Sequence, residues 1–379
     1  MNDCIPLSRK SIRWQTPADA TVGVYFRKLY KGEINQMDTA ADLFLKATTL
    51  QNDEKNEEAT EIYLSLMEKG QLVPFCNYRL AAISNCIGEP LSAYELYNKA
   101  FSEQPDIAKF LYGEGHPSYQ YVFDGLKKEK ELTNCHLCGR EGIPRWCYPL
   151  PEAAGYNPFF NPVRLWMYCE NCHHMFARHF PENLFLYNDK PRTPNPAFFS
   201  FYSNVLSRIA QYVEGISLFE VGIGACECLL TAREMGFETF GIDVIDKHVQ
   251  MAINKYNLQA QTHDFITFDI NRKFDIIIMG DVLEHVSDPV AAIQKAYNLL
   301  SDEGVLWVST PNFESAYSYF AGHQDPMRRQ QYHLSYFSRD SFYKLLVMCG
   351  FSPVDYSVSS HYNGSMEVIA VKKDRLDKI

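Results

Sequence analysis

The chain predicts an α/β fold. An open, mostly parallel sheet with crossover helices fills the C-terminal half, behind an α-helical repeat region and a small metal-binding module. Three observations predict this. From residue 217 onward, apolar runs of strand length ending in acidic residues or glycine alternate with helical periods, the pattern of βαβ units. Between 36 and 104, small residues and tyrosines recur 34 positions apart. Between those regions stand two Cys-x-x-Cys pairs, Cys135 with Cys138 and Cys169 with Cys172.

Composition bounds the reading. A chain of 379 residues holds two or three domains, and 46% hydrophobic against 22% charged residues is enough to build cores. No apolar run reaches the ~18 residues of a membrane span. Met1 to Pro6 lacks the basic-then-apolar layout of a signal peptide. The net charge of −10 argues against a grip on a nucleic-acid backbone. Lys127, Lys128 and Lys130 read as a solvated helix end. Eleven cysteines, seven of them scattered mostly through apolar helices or strands, suit a reducing compartment, so a cytoplasmic location is expected.

The elements follow in order. Residues 1–33 have no period and read as an irregular leader. Residues 34–130 read as paired helices. Ala59 and Tyr63 recur as Ala93 and Tyr97, Ala47 recurs as Ala81, and Leu66 as Ala100. Gly88 separates the helices of the second pair and Pro105 closes it. This period is similar to that of the tetratricopeptide repeat. Two uses stand: a groove for a protein or peptide partner, or a scaffold that only packs.

Residues 131–195 form the metal module and a linker. Each Cys-x-x-Cys sets two thiolates on one knuckle, and two knuckles make the closed tetrahedral site of structural zinc. Cys135, Cys138, Cys169 and Cys172 are the expected ligands. An iron–sulfur cluster or a thiol–disulfide pair remains open, as does replacement of one cysteine by His136, His173 or His174. The stretch 144–161 between the knuckles is rich in proline and aromatics and is expected to be an ordered loop. Proline spacing from Pro181 to Pro196 reads as an extended linker.

Residues 196–379 open on a helix, 196–212, whose Tyr202 is either a cofactor contact or a core residue. The run Ser217 to Gly224 is a strand, ending in Glu220, that turns on Gly222 and Gly224 into a helix. Glycines let backbone approach a ligand, and a helix N-terminus favours an anionic group. Asp243, 21 positions after Gly222, is placed to accept from ribose hydroxyls. The dinucleotide fingerprint needs a third glycine. Glu227 stands there instead, where it would repel a pyrophosphate. The turn therefore suits S-adenosylmethionine, which has no phosphate and whose ammonium Glu220 could help hold.

With Glu220, Gly222 and Gly224 in the pattern (D/E)-x-G-x-G, the chain resembles the class I S-adenosylmethionine-dependent methyltransferases. Cys226 departs from the pattern's last small residue. The resemblance runs over 217–372 and implies a Rossmann-like domain with a mostly parallel seven-stranded sheet. It implies a cofactor site of Glu220, Gly222, Gly224, Asp243, Val244, Asp264, Phe265, Gly280 and Asp281. Phe274 to Gly280 resembles the fourth strand of that family, and Gly304 to Asn312 the fifth. Asp288 caps a helix with Pro289 at its first position. Ser352 to Ser359 and Met366 to Lys372 resemble the antiparallel edge pair.

Methyl transfer needs alignment, and a base where the acceptor must lose a proton. His285, at the end of the fourth strand, and His333, in a lid segment His-Leu-x-x-Phe-Ser, are the candidate bases. Tyr332 is the candidate positioning residue. Arg328 and Arg329 offer positive charge for an anionic acceptor. The predicted function is methyl transfer to a small-molecule or sugar-like metabolite, free or linked to a carrier or nucleotide. The competing readings are a protein or peptide methyltransferase that docks through the helices, a non-catalytic zinc-containing adaptor, and an RNA methyltransferase, which the charge balance disfavours.

Overall fold

A computed structural model describes residues 34–153, 155–182 and 192–378. The expected leader over 1–33 and linker residues 183–191 lie outside the described residues. The described chain divides into two compact units, in the main 34–125 and 126–378.

The first unit is helical: α1 (Ile34–Asn52), α2 (Asn56–Glu68), α3 (Val73–Cys86), α4 (Pro90–Glu103) and the short α5 (Ala108–Leu111). The starts of α2 and α4 lie 34 residues apart, as do the ends of α1 and α3. Ala47, Ala59, Ala81 and Ala93 are fully buried, so neighbouring helices close on methyl groups. Tyrosines fill the spaces left between them: Tyr63 exchanges hydrogen bonds with Thr48 (3.2 Å) and Gln51 (3.1 Å), and Tyr97 packs edge-on to Tyr78.

The second unit begins with β1 (Lys130–Glu131), β2 (Ile143–Pro149), β3 (Val163–Cys169), β4 (His174–Ala177) and β5 (His179–Phe180). The loop expected over 144–161 is half strand, because Trp146, Cys147 and Tyr148 pair with Trp166, Leu165 and Arg164 of β3. The prolines hid this strand. Pro144 and Pro149 are tolerated because β2 is an edge strand with a register shift beside Pro144. On the far side of β4 the sheet takes a fourth strand from Ser335–Phe337, more than 150 residues later in the chain. The module expected to end at 195 is therefore completed by the following domain.

That domain runs α6 (Pro196–Ile209), β6 (Ser217–Val221), α7 (Glu227–Glu234), β7 (Glu238–Asp243), α8 (Asp246–Tyr256), β8 (Ala260–Thr262), β9 (Phe274–Gly280), α9 (Pro289–Leu299), β10 (Leu300–Pro311), α10 (Ala316–Ala321), β11 (Ser335–Phe337), α11 (Arg339–Met348), β12 (Phe351–Val358) and β13 (Ser365–Lys372). Asn195 caps α6 and Asp288 caps α9, each accepting from a backbone N–H. The sheet order is β12-β13-β10-β9-β6-β7-β8. β13 runs antiparallel to both neighbours, and the remaining pairs are parallel. Helices cover both faces, so Ile276, Ile277, Ile278 and Met279 of β9 are all fully buried and show no alternation. The strand order reverses beside β6, which opens the crevice where ligands of such sheets bind, at the carboxyl ends of β6 and β9.

Candidate active site and thiolate centre

The turn after β6 is shaped by close approach. Gly222 and Gly224 have φ of +77° and +50°. A Cβ on Gly222 would lie 2.7 Å from Val282 Cγ2. One on Gly241, across the sheet, would lie 2.4 Å from Ile223 Cγ2. Cys226 holds φ +73° without being glycine, and its buried thiol fills space under the turn.

Asp243 is 7% exposed. Its Oδ2 accepts from Gly224 N–H (3.0 Å) and faces His248 Nδ1 (3.1 Å), while Oδ1 accepts from Ile245 N–H (2.8 Å). The carboxylate thus braces the glycine turn and keeps acceptor capacity at Oδ1. Glu220 is 3% exposed, and its Oε2 has no partner. Burial, then the neighbouring Glu227 and Asp243 carboxylates, push its pKa well up. Glu227 lies in the first turn of α7 and accepts from Asn195 N–H (2.9 Å), tying the start of α6 to the turn. Val244 leaves an apolar side chain 37% exposed just past β7.

Two expected cofactor residues have protein partners of their own. The Phe265 ring is buried against Phe219 in a stack with Phe268 and Phe274, so it belongs to the core and not to an open face. Asp264 accepts from the Ile266 and Thr267 N–H groups and caps its own turn. The remaining two lie at the end of β9. Gly280 packs closely against the Tyr202 hydroxyl and Trp307, and Asp281 follows at φ +50°. Asp281 accepts from Ser309 Oγ (3.0 Å). Burial raises its pKa to about 6, with Ser309 and the Arg192 charge opposing.

One turn further on, the candidate bases come together. The His285 and His333 rings lie 4.8 Å apart. The Nε2 atoms face the same oxygen of Glu284, at 4.0 and 3.9 Å, beyond hydrogen-bond length. Glu284 is 1% exposed and its other oxygen accepts from Thr310 Oγ1 (3.0 Å). Burial drives its pKa well above the usual carboxylate range, with the nearby Asp281 adding to this. His285 Nδ1 donates to the Tyr332 carbonyl (3.0 Å), which leaves Nε2 as the acceptor nitrogen. Burial lowers the His285 pKa to about 4 and puts that of His333 well below its usual value, so both rings are neutral at pH 7. The Tyr332 hydroxyl accepts from Asn157 Nδ2 (3.3 Å), and its ring packs edge-on to Phe160.

Arg328 and Arg329 are not free cations for an acceptor. Arg328 is buried, donates to the Tyr148 hydroxyl (3.0 Å), and stacks 3.7 Å from the Trp146 ring centroid. Arg329 pairs with Glu152 (2.7 Å). Both fasten the segment before β11 to β2 and the turn that follows it.

The four cysteines converge. Their sulfurs lie within 4.8 Å of one another, with Cys138 and Cys169 at 3.6 Å. A tetrahedral zinc with Zn–S near 2.3 Å wants S–S spacings of about 3.8 Å, so the donor set fits. Gly139 at φ +71° and His173 at φ +54° close the two knuckles. His136 and His174 are not in this cluster.

Residues 194–356 match the family model described as Methyltransferase domain. These residues form a methyltransferase domain. It is similar to the ubiquinone biosynthesis O-methyltransferase of Glaesserella parasuis, at 30% identity over 105 residues, 27% of this chain and 41% of that protein. The same enzyme of Pasteurella multocida is 32% identical over 127 residues, 28% of this chain and 52% of that protein. The chain spans about half the length of these curated relatives, or less. Among solved structures, an S-adenosylmethionine-dependent methyltransferase from Clostridium acetobutylicum superposes with TM-score 0.39 at 12% identity, over 46% of this chain and 92% of that one.

Sequence reasoning missed one residue at the methyltransferase domain's turn. Arg192 is exposed, and its Nη1 lies 3.8 Å from where a Gly224 Cβ would stand. Its N–H donates to His248 Nε2 (3.4 Å), linking it through His248 to Asp243. Arg192 sits in a stretch whose prolines signalled only a linker, and no periodicity pointed to it. No helix among the described residues is long and apolar enough to cross a membrane.

Proposed function

We propose that the chain transfers a methyl group from S-adenosylmethionine to a hydroxyl of a small, sugar-like or aromatic acceptor, free or carrier-linked, with His285 as the general base. One observation carries this reading. A glycine turn braced by Asp243 and a neutral imidazole with its Nε2 unprotonated stand at the carboxyl ends of adjacent strands, β6 and β9.

The residues fit the cofactor. The glycines leave room for it at the turn, Arg192 suits its carboxylate, and the partnerless Glu220 Oε2 suits its ammonium, directly or through water. Asp243 Oδ1 suits a ribose hydroxyl, and Val244 a face of the adenine. When bound, S-adenosylmethionine supplies an activated methyl group on sulfonium. His285 Nε2 takes the proton from the acceptor oxygen, and its Nδ1–H, held by the Tyr332 carbonyl, keeps the ring in the accepting tautomer. The names of the curated relatives favour oxygen as the acceptor atom.

The four cysteines hold zinc in this reading, as a closed structural site without a position for water. The paired helices of the first unit form a tetratricopeptide-like surface that receives the carrier or a partner protein.

Calorimetry with S-adenosylhomocysteine tests the centre of the proposal. The wild-type chain is expected to bind, and Asp243→Ala to bind at least ~10-fold more weakly, since it removes two or more hydrogen bonds. No binding by the wild type overturns the reading. With a competent hydroxylated acceptor, His285→Gln is expected to lower the rate by ~10²–10⁴.

A further inference from the structure

Arg164 lies in β3, five residues before Cys169, and is 3% exposed. Among the described residues no carboxylate lies within ion-pair distance of it. Its guanidinium donates instead to two backbone carbonyls, from Nη1 to His333 O (2.5 Å) and from Nη2 to Gln331 O (2.7 Å). Burial lowers its pKa to about 10, with Glu129 opposing. A buried cation satisfied mainly by neutral carbonyls is a costly way to fill a core position that an apolar side chain would fill more cheaply. Its value lies in what the two carbonyls hold.

The carbonyl between them, on Tyr332, accepts from His285 Nδ1. Leu334, which follows His333, donates its N–H to the Glu284 carbonyl (2.7 Å), and its own carbonyl accepts from Ala177 N–H (2.8 Å). All four carbonyls from Gln331 to Leu334 are therefore occupied, three by the β3–β4 sheet and one by the candidate base. Ser335 then enters that sheet opposite Phe176. This short segment sets where the His333 ring stands and which nitrogen His285 presents.

We propose that Arg164 is a positioning residue for methyl transfer: through the Gln331 and His333 carbonyls it holds the segment that fixes the tautomer of His285 and the place of His333. The thiolate module thereby shapes the base of a reaction centre that lies in the domain after it. This rests on the reading of His285 as the base.

The test uses Arg164→Met and Arg164→Lys in the full chain, with three readouts. These are hydrogen exchange by peptide, the Nδ1–H proton signal of His285 in histidine-labelled protein, and calorimetry with S-adenosylhomocysteine. In both variants the peptides covering 330–338 are expected to exchange at least ~10-fold faster, while those covering β6 and β7 stay as in wild type. The His285 Nδ1–H signal is expected to be lost, and S-adenosylhomocysteine affinity to stay within ~2-fold, because the glycine turn does not touch Arg164. Lysine is expected not to rescue, since one ammonium cannot bridge two carbonyls as a planar fork does. Retention of the Nδ1–H signal in Arg164→Met, or wild-type behaviour of Arg164→Lys, overturns the proposal. So does accelerated exchange throughout the unit in both variants, which assigns Arg164 to folding alone. A wild-type chain that fails to bind S-adenosylhomocysteine defeats the methyltransferase reading and still leaves the exchange and proton signals to decide the role of Arg164.

Discussion

At Asp243 a single carboxylate gathers three donors: the Gly224 and Ile245 N–H groups and His248. The turn is thus held open by the protein itself, and its glycines are matters of space as much as of φ. Gly222→Ala is expected to cost about 1–2 kcal/mol from the left-handed backbone alone. The contact with Val282 adds to this, and the variant is expected to weaken S-adenosylhomocysteine binding. A urea titration and calorimetry read both. Gly241→Ala meets Ile223 and Leu229, and overpacking there is expected to cost about 1–3 kcal/mol in the same urea titration. The histidine pair sets a pH dependence. Burial lowers the folded pKa of His285 to about 4, below the unfolded value near 6.5. The unfolded chain therefore binds the proton first. This contribution is full above pH 6.5 and is lost as pH falls through 6.5 toward 4. His285→Asn is expected to lose less stability than wild type between pH 7 and pH 5, read as the shift in urea midpoint. An equal shift in both proteins would rule out the depressed pKa.

Individual elements differ in how openly their sequences announced them. The cap of α9 was legible because the Asp288 side chain bonds within three residues of itself. Strand β9 was legible because a strand buried on both faces is a continuous apolar run. Strand β2 was not, since Pro144 and Pro149 break the usual pattern and only its place at a sheet edge makes them tolerable. Strand β11 reads locally as part of a lid, because three residues pair with a strand some 160 positions away. Its exit is fastened by a capping box, in which Ser338 and Ser341 bond reciprocally while Ser338 Oγ also reaches the His173 carbonyl (2.8 Å). Ser338→Ala is expected to cost about 1–2 kcal/mol, the upper part of the range for a cap, because the lost hydroxyl serves α11 and the second knuckle together. Thermal unfolding measures it, and a change below about 0.5 kcal/mol would mean the cap is not felt.

Across the whole molecule, the four-cysteine cluster and the methyltransferase domain share one compact unit, so a metal held by those cysteines is expected to stabilise residues beyond the knuckles. Chelation at neutral pH is expected to lower the thermal midpoint by more than ~5 °C. Cys135→Ser with Cys169→Ser is expected to abolish bound zinc, read by metal analysis of the purified protein. Unchanged stability on chelation would remove the structural metal. The sequence by itself determined the helical pairs, the main βαβ strands from β6 to β10, the glycine turn with its carboxylates, the four cysteines and the two histidines. Those features are local: strand periods, caps and Cys-x-x-Cys knuckles act over a few residues. Only the tertiary structure decided that Phe265 is core, that Arg328 and Arg329 are fasteners, that Arg192 stands at the turn, and that β11 completes the sheet behind the knuckles. Each depends on side chains or strands far apart in the chain. Burial and partner choice over such distances come from packing, to which no local pattern of residues responds.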